Sequence, residues 1–342
     1  MQTIYKLIKL NRLLGSHRLK FATAWAAHHL GIRHLSIRLD PVMACNLRCS
    51  MCYFSNPDYV QNVRGIFSEE EIERIAGMFF PKAIVLVIGC GTEPTLYKNF
   101  PELVRIAKRY KVPNVGFTTN GQLLKEHHIE RFVQDRLDEL TISVHGVEKV
   151  TYEKFMLNAS FETLHAVLQT LDEVKKKHAS LLPNLRLNYT VNPENINELA
   201  HFFEVFGRYT ITTLQIRPIM DFHGQYRNVL TSRDMDMYRT VLDQLRHDCR
   251  TRGVTYLANT SDPMFEFENT ASVILQAVHR RITPMEVWRS EFNWRTETYD
   301  QFCRRIAWSS YLFKSIFSNI HDVMKHNAGA WAKHSATYEV NF

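Results

Sequence analysis

No apolar run near the start of this chain is long enough to cross a bilayer. The longest there, Phe21 to Ile32, is interrupted by His28 and His29, and a spanning helix takes about 20 predominantly apolar residues. A secretory leader does not fit either, because the basic region is too long and the apolar run lies too far inside. Internal repeats and low-complexity tracts are absent. Cysteine is scarce: six in 342 residues cannot build a dense disulfide framework. Three of the six crowd into eight residues, which favours metal binding in a reducing compartment and a cytoplasmic location. A chain-wide basic footprint is missing too. Of the formal charge of +7, six units fall in residues 1–40, where Lys6, Lys9, Arg12, Arg18, Lys20, Arg33 and Arg38 face only Asp40. Nucleic acid is therefore not an expected partner, and any electrostatic partner would meet the first forty residues.

What remains is ordinary for a soluble globular protein: 45% hydrophobic, 12% aromatic and 23% charged residues. A chain of this length can bury one large core, or a main domain with a smaller appendage. Residues 1–33 show helical spacing in two stretches. Ile4, Leu7, Ile8, Leu10, Leu13 and Leu14 form the first, and Leu19, Ala22, Trp25, Ala26 and Leu30 the second, separated by Gly15-Ser16. This basic amphipathic segment either docks on the core or makes peripheral contact with an anionic membrane.

From His34 short apolar runs alternate with longer amphipathic ones. Strands are expected at His34–Leu39, Ala83–Ile88, Asn114–Thr119, Glu139–Val144, Leu185–Val191 and Thr213–Pro218. Helices are expected at Glu69–Phe79, Pro101–Tyr110, Lys125–Val133, Phe161–Lys177, Ile196–Phe206 and Arg233–Arg252, the first opened by a Ser68/Glu71 capping box. Six strand–helix units imply a parallel sheet with right-handed crossovers, hence an α/β fold of the partial (β/α)6 barrel or open doubly wound kind. The core is expected over residues 34–260. Residues 261–342 read as a helical extension, with Ile306, Tyr311, Leu312, Ile316, Phe317, Ile320, Val323 and Met324 as its apolar face.

The most informative segment is Cys45-Asn46-Leu47-Arg48-Cys49-Ser50-Met51-Cys52-Tyr53, placed after the first expected strand. At this cysteine content a chance C-x3-C-x2-C arises in roughly two sequences per thousand. Loops after strand ends are where an α/β sheet gathers ligands. Three thiolates without a fourth partner would leave one iron of a cubane cluster open to an amino and a carboxylate group. The alternative is zinc, closed by His145 or His223.

C-x3-C-x2-C after a first strand resembles the signature of the radical S-adenosylmethionine (SAM) superfamily, over roughly residues 34–260. The resemblance implies a partial (β/α)6 barrel and one [4Fe–4S] cluster, with Cys45, Cys49 and Cys52 on three irons and SAM on the fourth. It further implies reductive cleavage of SAM to methionine and a 5′-deoxyadenosyl radical that abstracts hydrogen from a substrate. An electron donor such as flavodoxin or ferredoxin is implied as partner. Where the family places an aromatic before the third cysteine this chain has Met51, with Tyr53 after it as the candidate adenine contact.

Further segments match in order. Gly91-Thr92-Glu93-Pro94, after the second strand, looks like the family's Gly-Gly-Glu-Pro motif for the amino group of SAM, with Thr92 in place of the second glycine. Thr118-Thr119-Asn120-Gly121 ends the third strand. Ser143 and His145 end the fourth, where similar enzymes contact SAM, with His145 where Asp is common. Asn188 on the fifth strand and Arg217 at the end of the sixth complete the candidate cofactor contacts. Asp221-Phe222-His223-Gly224 follows as a candidate substrate approach.

The pattern is similar to the peptide-maturing, SPASM-related branch, whose C-terminal extension carries extra cysteines. Here only Cys249 and Cys303 lie beyond the core, without C-x2-C spacing, so a single cluster is expected. Cys303 is a candidate hydrogen-atom donor, with a packed thiol as the plainer reading. For the substrate, a peptide or protein side chain and a sugar, nucleotide or lipid-linked glycan stay open. A zinc-stabilised binding module is the non-enzymatic alternative.

Overall fold

The structure is a computed structural model and describes residues 14–219, 229–259, 274, 277–285, 292–326 and 338–341. Apolar residues at alternate strand positions build its centre. Leu35, Ile37 and Leu39 of β1 (Leu35–Leu39) are fully buried. So are Leu86 and Ile88 of β2 (Ala83–Ile88), Val115 and Phe117 of β3 (Asn114–Thr119), and Leu140, Ile142 and Val144 of β4 (Glu139–Val144). The same alternation runs through β5 (Asn184–Val191) and β6 (Ile211–Pro218). Polar residues occupy most of the intervening positions of β1 and β3 to β6, while β2 carries Val85 and Val87 there, so one face of the sheet packs on helices and the other is a largely polar concavity.

Three strands join these six: β7 (Thr255–Asn259), β8 (His279–Ile282) and β9 (Tyr338–Asn341). The sheet order is β8-β1-β2-β3-β4-β5-β6-β7-β9, parallel from β8 to β7, with β9 antiparallel at one edge. It is an open, partial (β/α) barrel, as expected, but with eight parallel strands in place of six. The expectation of an all-helical segment after 260 is corrected at β8. Its four residues show no apolar alternation, because two arginines serve opposite faces. Arg280 packs beneath Trp308, 4.9 Å from the ring centre, while Arg281 reaches into the concavity and pairs with Asp40.

In chain order the helices are α1 (His17–His29), α2 (Pro57–Asn62), α3 (Glu69–Phe79), α4 (Phe100–Arg109), α5 (Glu126–Gln134), α6 (Lys149–Phe155) and α7 (Phe161–Lys177). They continue with α8 (Ile196–Leu199), α9 (Phe202–Phe206), α10 (Ser232–Arg252), α11 (Tyr299–Arg305), α12 (Trp308–Phe317) and α13 (Ile320–His326). The capping box at α3 is present: Glu71 N–H donates to Ser68 Oγ at 3.1 Å and Ser68 N–H to the Glu71 carboxylate at 2.9 Å. The single helix expected over Ile196–Phe206 is instead the pair α8 and α9, broken at Ala200-His201.

Helix α1 packs on α12. Phe21 meets Tyr311 edge to face at 6.1 Å, Trp25 lies 5.6 Å from Phe313, and His29 bonds Ser309 Oγ at 2.6 Å. The second half of the basic segment thus spends much of its apolar face on protein, which favours docking over membrane contact. Its first half, residues 1–13, lies outside the described residues. Among the described residues no helix is long and apolar enough to cross a membrane.

The α1 junction carries a pH dependence. Burial, together with the neighbouring His34, lowers the His28 pKa from 6.5 to about 4. Between these values the unfolded chain holds a proton that the folded one refuses, so stability is lost as pH falls from about 6.5 to 4. Urea midpoints should drop across that window, and His28→Gln should flatten the drop. An unchanged pH slope in the variant would remove His28 from this account.

Candidate active site

The loop after β1 folds on its own backbone. Cys52 N–H donates to Cys49 O at 3.0 Å, Ser55 N–H to Cys52 O at 2.9 Å, and Asn56 caps α2. This winds Cys45, Cys49 and Cys52 into one half-buried group at the carboxyl end of the sheet. Cys45 Sγ accepts Leu47 N–H at 3.4 Å and faces Asn120 Nδ2 at 4.0 Å. Burial pushes the Cys45 thiol up to about 11 and raises Cys49 and Cys52 as well. Cys49 feels the charge of both other thiols. Arg48 does not neutralise the group by pairing, since its guanidinium is bonded to the carbonyls of Cys45 and Leu47 at 2.8 Å. Burial thus opposes ionisation of all three, and a cationic partner is needed for them to stand as thiolates. Among the described residues, no three His, Cys, Asp or Glu side chains are gathered so as to hold a single metal ion. A cubane asks something different, because each thiolate takes its own iron.

A second buried hub fixes the glycine-rich segment behind them. Asp40 is fully buried at the end of β1. Its Oδ1 accepts Cys90 N–H (2.8 Å), Gly91 N–H (3.1 Å) and Thr92 Oγ1 (3.2 Å), while Oδ2 pairs with Arg281 Nε (2.9 Å) and Nη2 (2.8 Å). Tyr53 closes the loop from the other side, its hydroxyl donating to Gly91 O at 2.7 Å. A Cβ on Gly91 would collide with Arg281 Nη2 and lie 2.6 Å from the Tyr53 hydroxyl, so a side chain there would have to displace one of these two contacts. Glu93 is 2% exposed, and burial raises its pKa. Its carboxylate ties the end of β2 to that of β3, accepting Thr95 Oγ1 and Thr119 Oγ1 at 2.6 Å and Asn120 N–H at 2.8 Å.

Across the concavity, Ser143 and Asn188 are register partners on β4 and β5, and Asn188 is next paired with Gln215 on β6. Asn188 Oδ1 is buried without a partner among the described residues, as expected of an acceptor whose donor is a ligand. His145 Nδ1 accepts Thr190 N–H at 3.3 Å, and burial holds its pKa down to about 3, leaving a neutral ring. Arg217 adds charge beside both His145 and Cys52. Thiols, a glycine-lined rim and an unpaired acceptor therefore share one concave face.

Residues 41–206 match the family model of the Radical SAM superfamily. The chain carries a radical SAM domain. That class of enzymes uses a [4Fe–4S] cluster and SAM, and the three thiols and the Asn188 acceptor fit such a pair. Probable GTP 3′,8-cyclase of Sulfolobus acidocaldarius is 29% identical over 167 residues, covering 48% of this chain and 50% of that protein. GTP 3′,8-cyclase of Aquifex aeolicus is 28% identical over 187 residues, covering 54% and 56%. The chain thus spans about half the length of these curated relatives. Among solved structures, Streptococcus suis SuiB bound to SAM aligns with TM-score 0.59 and 17% identity, covering 74% of this chain and 59% of that one. The anSMEcpe structure with bound AdoMet aligns with TM-score 0.57 and 16% identity, covering 82% and 83%. Identities this low establish the fold alone.

The radical SAM domain brings Cys45, Cys49, Cys52, Tyr53, Gly91, Thr92, Glu93, Ser143, His145, Asn188 and Arg217 to one end of the sheet. It does not bring Cys303 there. That thiol is buried in α11 against Tyr299, in the helical layer with Arg280, so its proposed role as hydrogen donor is corrected to a packing one. Of His145, the fourth ligand in the zinc alternative, Nδ1 is engaged with the Thr190 amide. Asp221-Phe222-His223-Gly224 lies outside the described residues. Sequence reasoning missed Asp40 and Arg281. Its available signal was an acid directly after a strand and five residues before the first cysteine.

Proposed function

We propose that this chain is a radical SAM enzyme that cleaves SAM reductively and abstracts hydrogen from a substrate held on the concave face of the sheet. The supporting observation is the convergence of three half-buried thiols with the Asp40-anchored glycine rim. When bound, the cluster and SAM supply one-electron scission of the sulfonium C–S bond. The chain's own part is to hold and exclude. Asp40 and Tyr53 fix the rim, Ser143 and Asn188 offer polar contacts opposite, and His145 stays neutral so that no proton is released beside the thiols.

For the substrate, a sugar or nucleotide fits the concavity better than a peptide side chain, because the exposed positions are polar and carry arginines. The names of the GTP 3′,8-cyclases point the same way. A peptide substrate draws its support from the fold shared with SuiB, a protein solved with its precursor peptide SuiA. Anaerobic reconstitution tests the common part. About four irons and four sulfides per chain are expected, with 5′-deoxyadenosine formed on reduction in the presence of SAM. A colourless protein that yields no 5′-deoxyadenosine would sink the reading.

A further inference from the structure

The cysteine loop is gripped from two sides. Arg48 N–H donates to Leu157 O at 3.1 Å and Ser50 N–H to Phe155 O at 3.0 Å, so both neighbours of Cys49 are tied to the end of α6 and the turn after it. Tyr152, one turn earlier in α6, is fully buried. The turn after β3 comes round from the other side. Asn120 Nδ2, 4.0 Å from Cys45 Sγ, donates to Asn46 Oδ1 at 2.8 Å, and Asn120 Oδ1 accepts Gln122 N–H at 2.9 Å. Gln122 Nε2 in turn donates to Tyr152 Oη at 3.1 Å, which closes the ring of contacts around the thiols.

The direction of that last bond is fixed. Gln122 Oε1 accepts Ser160 N–H at 2.8 Å, and Nε2 donates its other hydrogen to Ser160 O at 3.2 Å. Both amide hydrogens are thus committed, and the Tyr152 oxygen can only accept from Gln122. The phenolic proton is left over. Among the described residues no acceptor is bonded to it, and a buried donor left unpaired is costly. Cys49 lies close enough that its ionised form would oppose ionisation of the phenol. As a thiol, Cys49 is a weak acceptor. As a charged thiolate on iron it becomes a much better one, since hydrogen bonds to ionised acceptors are about twice as strong as neutral ones.

We propose that Tyr152 directs its phenolic proton at the Cys49 sulfur of the loaded cluster and so holds the reduction potential of that cluster up, with Gln122 orienting the phenol. Tyr152 acts through Cys49 and is a positioning residue. The proposal rests on the reading of the three cysteines as cluster ligands, but its test does not require turnover. Reduction adds negative charge, so a donor aimed at a ligand sulfur stabilises the reduced form and its loss lowers the potential. The experiment is an anaerobic redox titration of the reconstituted full chain, followed by electron paramagnetic resonance of the reduced cluster. Tyr152→Phe keeps the ring and removes the proton. It should disfavour the reduced form about tenfold, a potential about 59 mV lower for one electron, with iron and sulfide content as in wild type. Gln122→Met leaves the proton but releases its direction, and should lie between; it serves alone if the phenylalanine variant does not fold. A packing role for the hydroxyl would shift the denaturant midpoint and leave the potential in place. Loaded variants whose potentials match wild type, or rise, would overturn the proposal while the cluster reading stands. A wild-type chain that takes up no iron and sulfide would overturn both.

Discussion

Cys49→Ala is expected to give a folded protein that no longer assembles a [4Fe–4S] centre, and Cys45→Ala and Cys52→Ala the same. The argument separates folding from loading. Each thiol is half-buried and held in its protonated form chiefly by burial, with Cys49 also raised by the other two. Replacing one with alanine therefore removes a small group whose packing is worth about 1 kcal/mol. Thermal unfolding of the apoprotein should shift by only a few degrees. Loading is different, because a cubane held by three protein thiolates has no spare. Loss of an outer-shell partner already costs about 10–100-fold in metal affinity, and loss of a ligand at least the upper figure. Iron and sulfide content, the visible absorption of the reconstituted protein and 5′-deoxyadenosine yield should all fall together, the last at least about a hundredfold. A variant that kept both colour and cleavage would remove that cysteine from the ligand set.

Local pattern explains what could be read before the structure. The bounds of β2 follow from a continuous apolar run, those of β3 and β4 from apolar residues at every second position, and α3 from its capping box and apolar face. Helix α7 follows from a 17-residue amphipathic run. The cysteine triplet is local as well, since its ligands sit within one loop. What escaped depends on partners far apart in the chain. Strand β8 is recognisable only once Arg280 has Trp308 beneath it and Arg281 has Asp40 beside it. Cys303 failed as a site residue for the same reason. Helical spacing places it on an apolar face, but only the position of α11 decides which side of the sheet that face meets.

Asp40 makes the costlier of these long-range contacts, and Asp40→Ala should show it. Its partner Arg281 is 241 residues away in sequence, and the pair is flanked by two backbone amides with no other acceptor given to them. Removing one member of a buried ion pair costs about 3–5 kcal/mol, because the other charge stays desolvated. The two amides and the Thr92 hydroxyl lose their acceptor as well. Asp40→Asn keeps the shape and one acceptor oxygen, but turns an amide N–H toward the Arg281 fork, so it should fall between wild type and alanine. Much of the loss should vanish when Arg281→Met is combined with Asp40→Ala, since the cost lies in the unpaired charge. The site should respond along with stability. With Cys90, Gly91 and Thr92 released, the rim between β1 and β2 loses its fixed position, and SAM should bind more weakly to whatever protein remains folded. Denaturant midpoints of the two single variants and the double variant, with SAM titrations on each, separate the contributions. Additive losses in the double variant would show that Asp40 acts on the glycine rim independently of Arg281.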